Sequence, residues 1–366
     1  MRRNLPAYFA EFAGTALTLF LGVSAVSFMW GQGSPVPAVP YPPLRRLLTG
    51  LMFAGSATAV VYSPLGQISG GHINPVVTLA FWRIGKVPSR DAILYIAAQF
   101  AGALVGAYTA GLAWGPLTAS VHYAATVPGA GYSAVGAFAA EVLITFLLVF
   151  TIFVCVNKPR IASRTGVIAG TLVALIVMIE APVSGTSLNP ARTLAPAILA
   201  PSYHALWAYF AGPPLGAMLA VAAYRGRWGS HTVCAKLYHT EKYACPFEAC
   251  NYRLAKAGET VMRAGEAGTE AYLVERGSLE VRLDNASPES AVVARLGPGD
   301  WVGELSLILD EPRSATVVAA SDAQLRRITK HDLGHILAED PDRTLELVRQ
   351  LARRVKAVNE RLVGRM

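Results

Sequence analysis

Two short stretches of the chain carry polar residues whose types and spacing suit the start of a helix. Residues 69–80 read SGGHINPVVTLA and residues 184–197 read SGTSLNPARTLAPA. In each stretch an asparagine precedes a proline. An asparagine side chain can cap free N–H groups, and proline at the first helical position loses no needed donor. The pattern therefore predicts two short helices, one beginning at Asn74 and one at Asn189.

The flanks of both stretches are apolar and of bilayer length. Each run is about the ~20 residues that a spanning helix needs, and the runs cover residues 8–30, 46–64, 91–114, 134–156, 165–183 and 203–224. Irregular backbone at membrane depth is tolerated only where it is buried in protein or lines a wet cavity. The alternative of two ordinary helix caps in a soluble loop does not account for these flanks. Two half-helices pointing their positive ends at a passing solute would disfavour cations.

The two halves of this region resemble each other internally. Residues 10–15 read AEFAGT and residues 140–145 read AEVLIT, with further matches between residues 100–107 and 210–217. Each half contains three spans, an odd number, so the second half must be inverted relative to the first. The predicted fold class is mixed: an all-α six-span membrane channel with two half-helices in an inverted repeat, followed by a β-roll with flanking helices.

Charge is distributed unevenly along the 366 residues. Residues 1–230 contain 13 lysines and arginines against four acids, and the remainder contains 19 against 20. The positive-inside rule explains the basic part without a nucleic-acid partner. Basic residues near the N-terminus, in two loops and directly after the sixth span fall on one side, which predicts cytoplasmic N- and C-termini. The membrane we expect is a bacterial-type inner membrane. Arg45 and Arg46 fall on the other side, where we interpret them as interface anchors.

The paired Asn-Pro boxes, with Arg192 three residues after Asn189, resemble the aquaporin and glycerol-facilitator family of major intrinsic proteins over roughly residues 5–225. The resemblance implies a homotetramer in the lipid bilayer that conducts water and small uncharged solutes such as glycerol, and it implies no enzymatic activity. The first box contains Val76 where alanine is usual, which raises a question about the local pore width.

The same resemblance assigns a selectivity filter. Arg192 would form the narrow constriction and repel cations, Val177 would be the fifth-span position and Thr186 the loop position. The second-span position is either Phe53 or Ala54, and we prefer Phe53. Water-selective relatives usually have histidine in place of Val177, so this opening should be wider and less polar.

Three acids lie within the predicted spans. A charge at membrane depth is costly, so each should have partners inside the bundle. By resemblance, Glu11 and Glu141 would brace the two Asn boxes by accepting backbone N–H groups. Glu180 could brace a loop or line the pore.

The last third of the chain alternates short apolar strands with glycine turns, which predicts a β-roll. The run 298–317 resembles the phosphate cassette of cyclic-nucleotide-binding domains, which would extend over about residues 251–365. The resemblance implies that Glu304 binds the ribose 2′-OH, that Arg313 binds the cyclic phosphate, and that the remaining oxygens contact Ser314 and the backbone N–H groups of Gly303, Glu304, Leu305 and Ser306. The alternative is a β-roll that has lost its ligand, and the choice between cAMP and cGMP stays open. Residues 332–363 read as one helix with an apolar stripe. The helix resembles the lid of this domain family, and simple core packing explains the stripe equally well. The residues that could reach the purine are Arg353, Arg354 and Asn359.

The intervening linker is rich in cysteine and histidine. Clustered residues of these types can hold a tetrahedral zinc ion, and the candidate ligands are Cys234, His239, Cys245 and Cys250. The spacing lacks the close cysteine pairs of familiar zinc modules, so reduced thiols in a packed hinge are the alternative. The predicted domains are a channel at 1–228, a linker at 229–250 and a nucleotide-binding domain at 251–366.

Domain order suggests a channel regulated by cAMP or cGMP. Two alternatives are a nucleotide receptor in which the channel part is only a membrane anchor, and a channel whose second domain serves assembly without gating.

Overall fold

The computed structural model describes residues 4–228, 234–238, 243, 245–247, 252–282, 292–339 and 341–363. The chain divides into two compact units, Met1–Ala249 and Cys250–Met366. The described part of the first unit is helical, and that of the second contains two antiparallel sheets with helices. This architecture confirms the predicted fold class.

The helices of the first unit are, in chain order, α1 (Leu5–Trp30), α2 (Pro42–Tyr62), α3 (Pro64–Ser69), α4 (Pro75–Arg83), α5 (Ser89–Trp114), α6 (Pro116–Ala119), α7 (Ala134–Val156), α8 (Pro159–Ala162), α9 (Thr165–Ser184), α10 (Pro190–Leu199) and α11 (Leu206–Trp228). Within the described residues, six helices are long and apolar enough to cross a membrane: α1, α2, α5, α7, α9 and α11. They match the six predicted spans.

The long helices pack in pairs that repeat between the halves. Helix α1 packs on α5, α7 packs on α11, and α2 packs on α9. Small residues permit this close approach. A Cβ atom added to Gly102 would lie 2.2 Å from the Phe12 carbonyl oxygen, and one added to Gly216 would lie 2.3 Å from that of Val142. The glycines at these two interfaces are therefore packing positions.

Two of the short helices, α4 and α10, begin as the sequence predicts. Asn74 accepts a hydrogen bond from the Val76 N–H, and Asn189 accepts from the N–H groups of Ala191 and Arg192. Proline is the first residue of each helix, where its missing N–H has no consequence.

The second unit contains β1 (Tyr252–Ala255), β2 (Thr260–Met262), β3 (Glu270–Arg276), β4 (Leu279–Arg282), β5 (Val292–Leu296), β6 (Trp301–Val302), α12 (Glu304–Leu309), β7 (Thr316–Ala319), β8 (Ala323–Thr329), α13 (Lys330–Glu339) and α14 (Pro341–Val363). The strand orders are β1-β8-β3-β6 and β2-β7-β4-β5. The prediction of one helix over 332–363 is wrong. Pro341 starts a new helix, because proline cannot supply the N–H that would continue α13.

Candidate functional site

A cavity of about 490 Å³ lies within the six-helix unit. Its lining includes Arg46, near the start of α2, and Val61, in the last turn of the same helix. These two residues are about four helical turns apart, which corresponds to roughly 22 Å. Asn74 and Asn189 both line this cavity. We refer to its two limits as the Arg46 end and the Val61 end.

All four residues of the predicted filter line this one cavity: Phe53, Val177, Thr186 and Arg192. The Arg192 guanidinium carbon lies 5.0 Å from the centroid of the Phe53 ring, and its Nη1 donates to the Ala124 carbonyl at 2.7 Å. Ala54 also lines the cavity but is only 4% exposed. Of the two second-span candidates, Phe53 is the one whose side chain contacts the guanidinium.

The loops that precede α4 and α10 are linked to each other through their asparagines. Asn74 Nδ2 donates to the Leu188 carbonyl at 3.0 Å, and Asn189 Nδ2 donates to the Ile73 carbonyl at 3.3 Å. An amide nitrogen carries two hydrogens, so each asparagine has a second hydrogen with which it could bind a solute. The two boxes therefore form one hydrogen-bonded unit beside the cavity.

Glu11 and Glu141 support these loops in equivalent ways. Glu11 accepts the N–H groups of His72 at 3.0 Å and Ile73 at 2.7 Å. Glu141 accepts those of Ser187 at 2.7 Å and Leu188 at 2.8 Å. Both carboxylates are completely buried. They satisfy backbone donors that helix hydrogen bonds do not reach, as the bracing interpretation requires.

Glu180 braces the second loop as well. It accepts the Ser184 N–H at 3.0 Å and the Thr186 hydroxyl at 2.6 Å. Thr186 has a positive φ of 54°, a conformation that costs free energy in a residue other than glycine and persists only where neighbours hold it. Of the two roles left open from the sequence, the contacts of Glu180 are those of bracing.

Val76 does not change the cavity width as its position suggested. Its side chain is 1% exposed and belongs to the core that includes Phe81 and Val149. The neighbouring Val77 lines the cavity instead. Successive residues of a helix point about 100° apart, so Val76 points into the protein core while Val77 faces the cavity.

Arg46 and His72 are among the lining residues that the sequence interpretation missed. Arg46, interpreted as an interface anchor, lines the cavity and donates from Nε to the Met178 carbonyl at 2.9 Å. Arg45 instead lies over the Trp30 ring, 4.2 Å from its centroid. His72 also lines the cavity. Its position two residues before Asn74 was the available signal, whereas nothing in the sequence separates Arg45 from Arg46.

In the second unit, the predicted cassette brings a buried carboxylate and a buried guanidinium together. Glu304 is 1% exposed, and its Oε1 pairs with Nη1 of Arg354 on α14. Its Oε2 has no hydrogen-bond partner among the described residues. Burial raises the pKa of the Glu304 carboxyl above its usual value, and the Arg354 guanidinium opposes that rise. Sequence reasoning named Arg354 only as one of several residues that could reach a base.

Arg313 is the cation of this cassette. It is 7% exposed and donates to the carbonyls of Gly303, at 2.8 Å, and Glu270. Burial lowers the pKa of its guanidinium. Gly303 has a φ of 78°, which favours glycine, and a Cβ atom there would lie 2.5 Å from Arg313 Nη1. Ser306 is buried close by, whereas Leu305 and Ser314 are exposed.

The proposed zinc ligands are only partly described. Cys234 is buried and Cys245 is half-buried, and His239 and Cys250 lie outside the described residues. The described part of the chain contains no group of three or more His, Cys, Asp or Glu side chains that could hold a metal ion. Zinc binding by the linker therefore stays a prediction.

Six spans, two facing half-helices and a cavity that both asparagines line define a membrane channel, and the second unit is a β-roll with a charged cassette. Comparison with known proteins agrees with both. Residues 2–224 match the family model described as major intrinsic protein, and residues 252–340 match the cyclic nucleotide-binding domain.

Individual relatives support the first match. Aquaporin NIP1-3 of Oryza sativa subsp. japonica is 36% identical over 217 residues, which cover 59% of this chain and 71% of the relative. Aquaporin AqpM of Methanothermobacter marburgensis is 37% identical over 234 residues, which cover 59% of this chain and 94% of the relative. The X-ray structure of the aquaglyceroporin from Plasmodium falciparum has a TM-score of 0.52 at 21% identity, over 60% of this chain and 95% of that one.

This chain belongs to the major intrinsic protein family, and its C-terminal region is a cyclic nucleotide-binding domain. It is a multi-pass membrane channel for water or small solutes rather than an enzyme.

Proposed function

We propose that this protein conducts water and small uncharged solutes such as glycerol across a bacterial inner membrane, and that cAMP or cGMP bound to its C-terminal domain regulates the flux. The observation that carries the proposal is the cavity lined by Asn74, Asn189 and Arg192. Its lining combines the hydrogen-bond donors of Asn74, Asn189 and Arg192 with the apolar side chains of Phe53 and Val177.

The charges around the cavity favour neutral cargo. Helices α4 and α10 begin at the cavity, and the positive ends of their dipoles disfavour cations there. The guanidinium of Arg192, 8% exposed, adds a full positive charge in a site of low dielectric constant. An uncharged hydroxyl compound can accept hydrogen bonds from these donors without the desolvation cost that an ion meets.

The proposed filter consists of Phe53, Val177, Thr186 and Arg192. Valine offers no hydrogen bond, so the proposed filter combines two apolar side chains, Phe53 and Val177, with two polar ones, Thr186 and Arg192. This combination suits a solute with one polar and one apolar face, such as glycerol. Glu180 accepts the Thr186 hydroxyl at 2.6 Å, which fixes the position of that hydroxyl in the filter.

The nucleotide proposal rests on the Glu304 cassette. Oε2 of Glu304, without a described partner, could accept a ribose hydroxyl, and Arg313 could bind the cyclic phosphate. Charge-assisted hydrogen bonds of this kind are among the stronger ones in proteins. Arg354 already contacts Glu304, so bound nucleotide would change the position of α14, and that change would bias the channel between two states.

The membrane environment, the oligomeric state and the orientation are also part of this proposal. The spans carry large exposed apolar side chains, among them Ile93, Leu112 and Ile179, as contact with lipid or with neighbouring subunits requires. We propose a homotetramer, as the family resemblance implies. The basic loops predict that both termini face the cytoplasm.

Stopped-flow swelling of proteoliposomes tests the conduction proposal. Val177→Trp places an indole in the filter, and we expect it to abolish glycerol flux. Leu175→Trp is the matched control, because Leu175 is 44% exposed on the same helix and should tolerate the indole. Equal flux in both variants would contradict the filter assignment, and undiminished membrane insertion without any flux in the wild type would favour the receptor hypothesis.

Calorimetry with cAMP and with cGMP, followed by swelling at saturating nucleotide, tests the regulation. We expect binding of at least one nucleotide, loss of that binding in Arg313→Leu, and a nucleotide-dependent flux in the wild type only. Binding without any change in flux would reject gating. Absence of binding, together with loss of tetramers when the second domain is removed, would favour the assembly role.

A further inference from the structure

Residues 234–238 and 245–247, which we call the docking segment, follow the sixth span and pack against the channel loop of the first box. Five of its residues are at most 5% exposed, and all of these except Lys236 are apolar or sulfur-containing: Cys234, Ala235, Lys236, Leu237 and Phe247. The sequence suggested a hinge between two domains. Where the structure describes it, this stretch is instead part of the first unit.

Backbone hydrogen bonds attach the docking segment to that loop. The Leu237 N–H donates to the Gly70 carbonyl at 2.9 Å, and His72 Nε2 lies 2.8 Å from the Ala235 carbonyl oxygen. The approach is close, because a Cβ atom on Gly70 would lie 3.1 Å from the same oxygen. Gly70 also has a φ of 102°, which favours glycine.

The protonation of His72 suits this contact. Gln99 donates to Thr78 Oγ1 at 2.9 Å, and His72 Nδ1 lies 3.1 Å from the same oxygen. The Thr78 hydroxyl can therefore donate to Nδ1, which leaves the hydrogen of the neutral imidazole on Nε2. That hydrogen points to the Ala235 carbonyl, so a residue of the channel loop donates directly to the docking segment.

Aromatic rings complete the contact. The His72 ring is stacked between Phe81, with centroids 4.9 Å apart, and Phe247, at 5.6 Å. Tyr238 meets Tyr62, the last residue of α2, with centroids 4.7 Å apart. The docking segment therefore contacts the loop before α4 and the last residue of α2.

The side chain of Leu237 lines the cavity itself, together with Val61 and Gly166 from the adjoining ends of α2 and α9. Leu237 is thus a lining residue that comes from outside the six spans and the two half-helices. An apolar constriction at the hydrated opening of a channel can close the channel by excluding water.

We propose that the docking segment forms a second constriction of the channel, with Leu237 as its central side chain, at the opposite end from Arg46. Withdrawal of the segment would widen the Val61 end. The segment lies in sequence between α11 and β1, so the nucleotide-binding domain is tethered directly to it. Control of the docking segment by the nucleotide-binding domain rests on the proposed regulation by nucleotide, whereas the constriction itself does not.

Lys236 places a charged group inside the docked contact. Its side chain is buried, and its ammonium donates to the carbonyls of Gln67 at 2.7 Å and Tyr243 at 3.2 Å. Removing an ammonium from water is unfavourable even with such partners. Undocking would return the charge to solvent, and this gain in hydration offsets part of the free energy that the docked packing supplies. A segment of this kind can be released by a modest change elsewhere.

The test uses the whole chain in proteoliposomes without nucleotide. Leu237→Ala shortens the side chain in the cavity, and we expect glycerol permeability to rise by about fivefold or more, which corresponds to roughly 1 kcal/mol of barrier. Leu175→Ala is the control, because it removes the same atoms from an exposed position of α9. Leu237→Trp should lower the permeability below the wild-type value.

A second variant tests docking separately from side-chain size. His72→Phe keeps a stacked ring but removes the hydrogen bond to Ala235, and it should raise permeability in the same direction as Leu237→Ala. Thermal denaturation checks that both Leu237 variants are folded. Unchanged flux in folded Leu237→Ala and Leu237→Trp would overturn the constriction. Altered flux in these variants with no nucleotide effect in the wild type would keep the constriction and reject only the regulation.

Discussion

The loop before α4 and the loop before α10 receive the same support from buried acids, and they differ in what else they contact. Glu11 accepts two N–H groups of the first loop, as Glu141 does of the second. Ile73 and Leu188, each just before the capping asparagine, both have a positive φ, of 44° and 56°. The first loop then contacts the docking segment through His72, whereas the second loop leads into α10, which carries Arg192, and is braced again by Glu180.

This difference assigns separate tasks to duplicated parts. The backbone path and its acid are common to both halves because any half-helix at membrane depth must have its free donors satisfied. Three of the four proposed filter residues, Val177, Thr186 and Arg192, come from the second half and Phe53 comes from the first, whereas the loop that hydrogen-bonds to the docking segment belongs to the first half. Selectivity and closure could then be altered independently of each other.

Removal of either bracing acid should have the largest effect and should affect both halves alike. Glu11→Ala and Glu141→Ala each leave two buried N–H groups without an acceptor. Hydrogen bonds to a charged group contribute about 1.5 to 3 kcal/mol each, so we expect each variant to lose at least about 3 kcal/mol of stability. Thermal unfolding in detergent measures this loss. A large effect in one variant and none in the other would contradict the equivalence of the loops.

Glu180→Gln should have a smaller effect that is confined to the second half. The amide keeps the size of the side chain but can no longer accept equally from Ser184 and Thr186, so we expect a loss of roughly 1 to 2 kcal/mol and a changed ratio of glycerol to water permeability. Thr186→Val should change that ratio in the same direction.

The double variant provides the control for this pair. If Glu180 acts on the filter through Thr186, the two substitutions together should change the permeability ratio no more than either alone. Additive changes would show that Glu180 affects the channel by another route.

Val76→Ala should have the smallest effect on transport. It gives the first box the same residue as the second, where Ala191 follows the proline. Because Val76 packs in the core, we expect unchanged permeability and a loss of roughly 1 to 2 kcal/mol of stability from the methyl groups removed. The reverse substitution, Ala191→Val, adds atoms at a fully buried position and should also destabilise the protein. A clear increase of flux in Val76→Ala would contradict the assignment of Val76 to the core.

Much of the channel follows from the sequence alone. The apolar runs of bilayer length and the two Asn-Pro caps are local signals, since a spanning helix and a capped helix start each depend on residues that are close together in the chain. The same holds for the alternating strands of the second unit. The interpretation of residues 332–363 as one helix failed at Pro341, because it gave the apolar stripe that follows this proline more weight than the proline itself.

The tertiary structure alone decided which side chains meet. Arg45 and Arg46 are adjacent in sequence, but only Arg46 lines the cavity, because neighbouring residues of a helix point in different directions and the packing of α2 selects one of them. His72 and Ala235 are 163 residues apart, and the place of Leu237 in the cavity depends on the folded path of the chain after α11. Composition and spacing determined the helices and strands. The set of side chains that line the cavity depended on long-range packing, which no local pattern encodes.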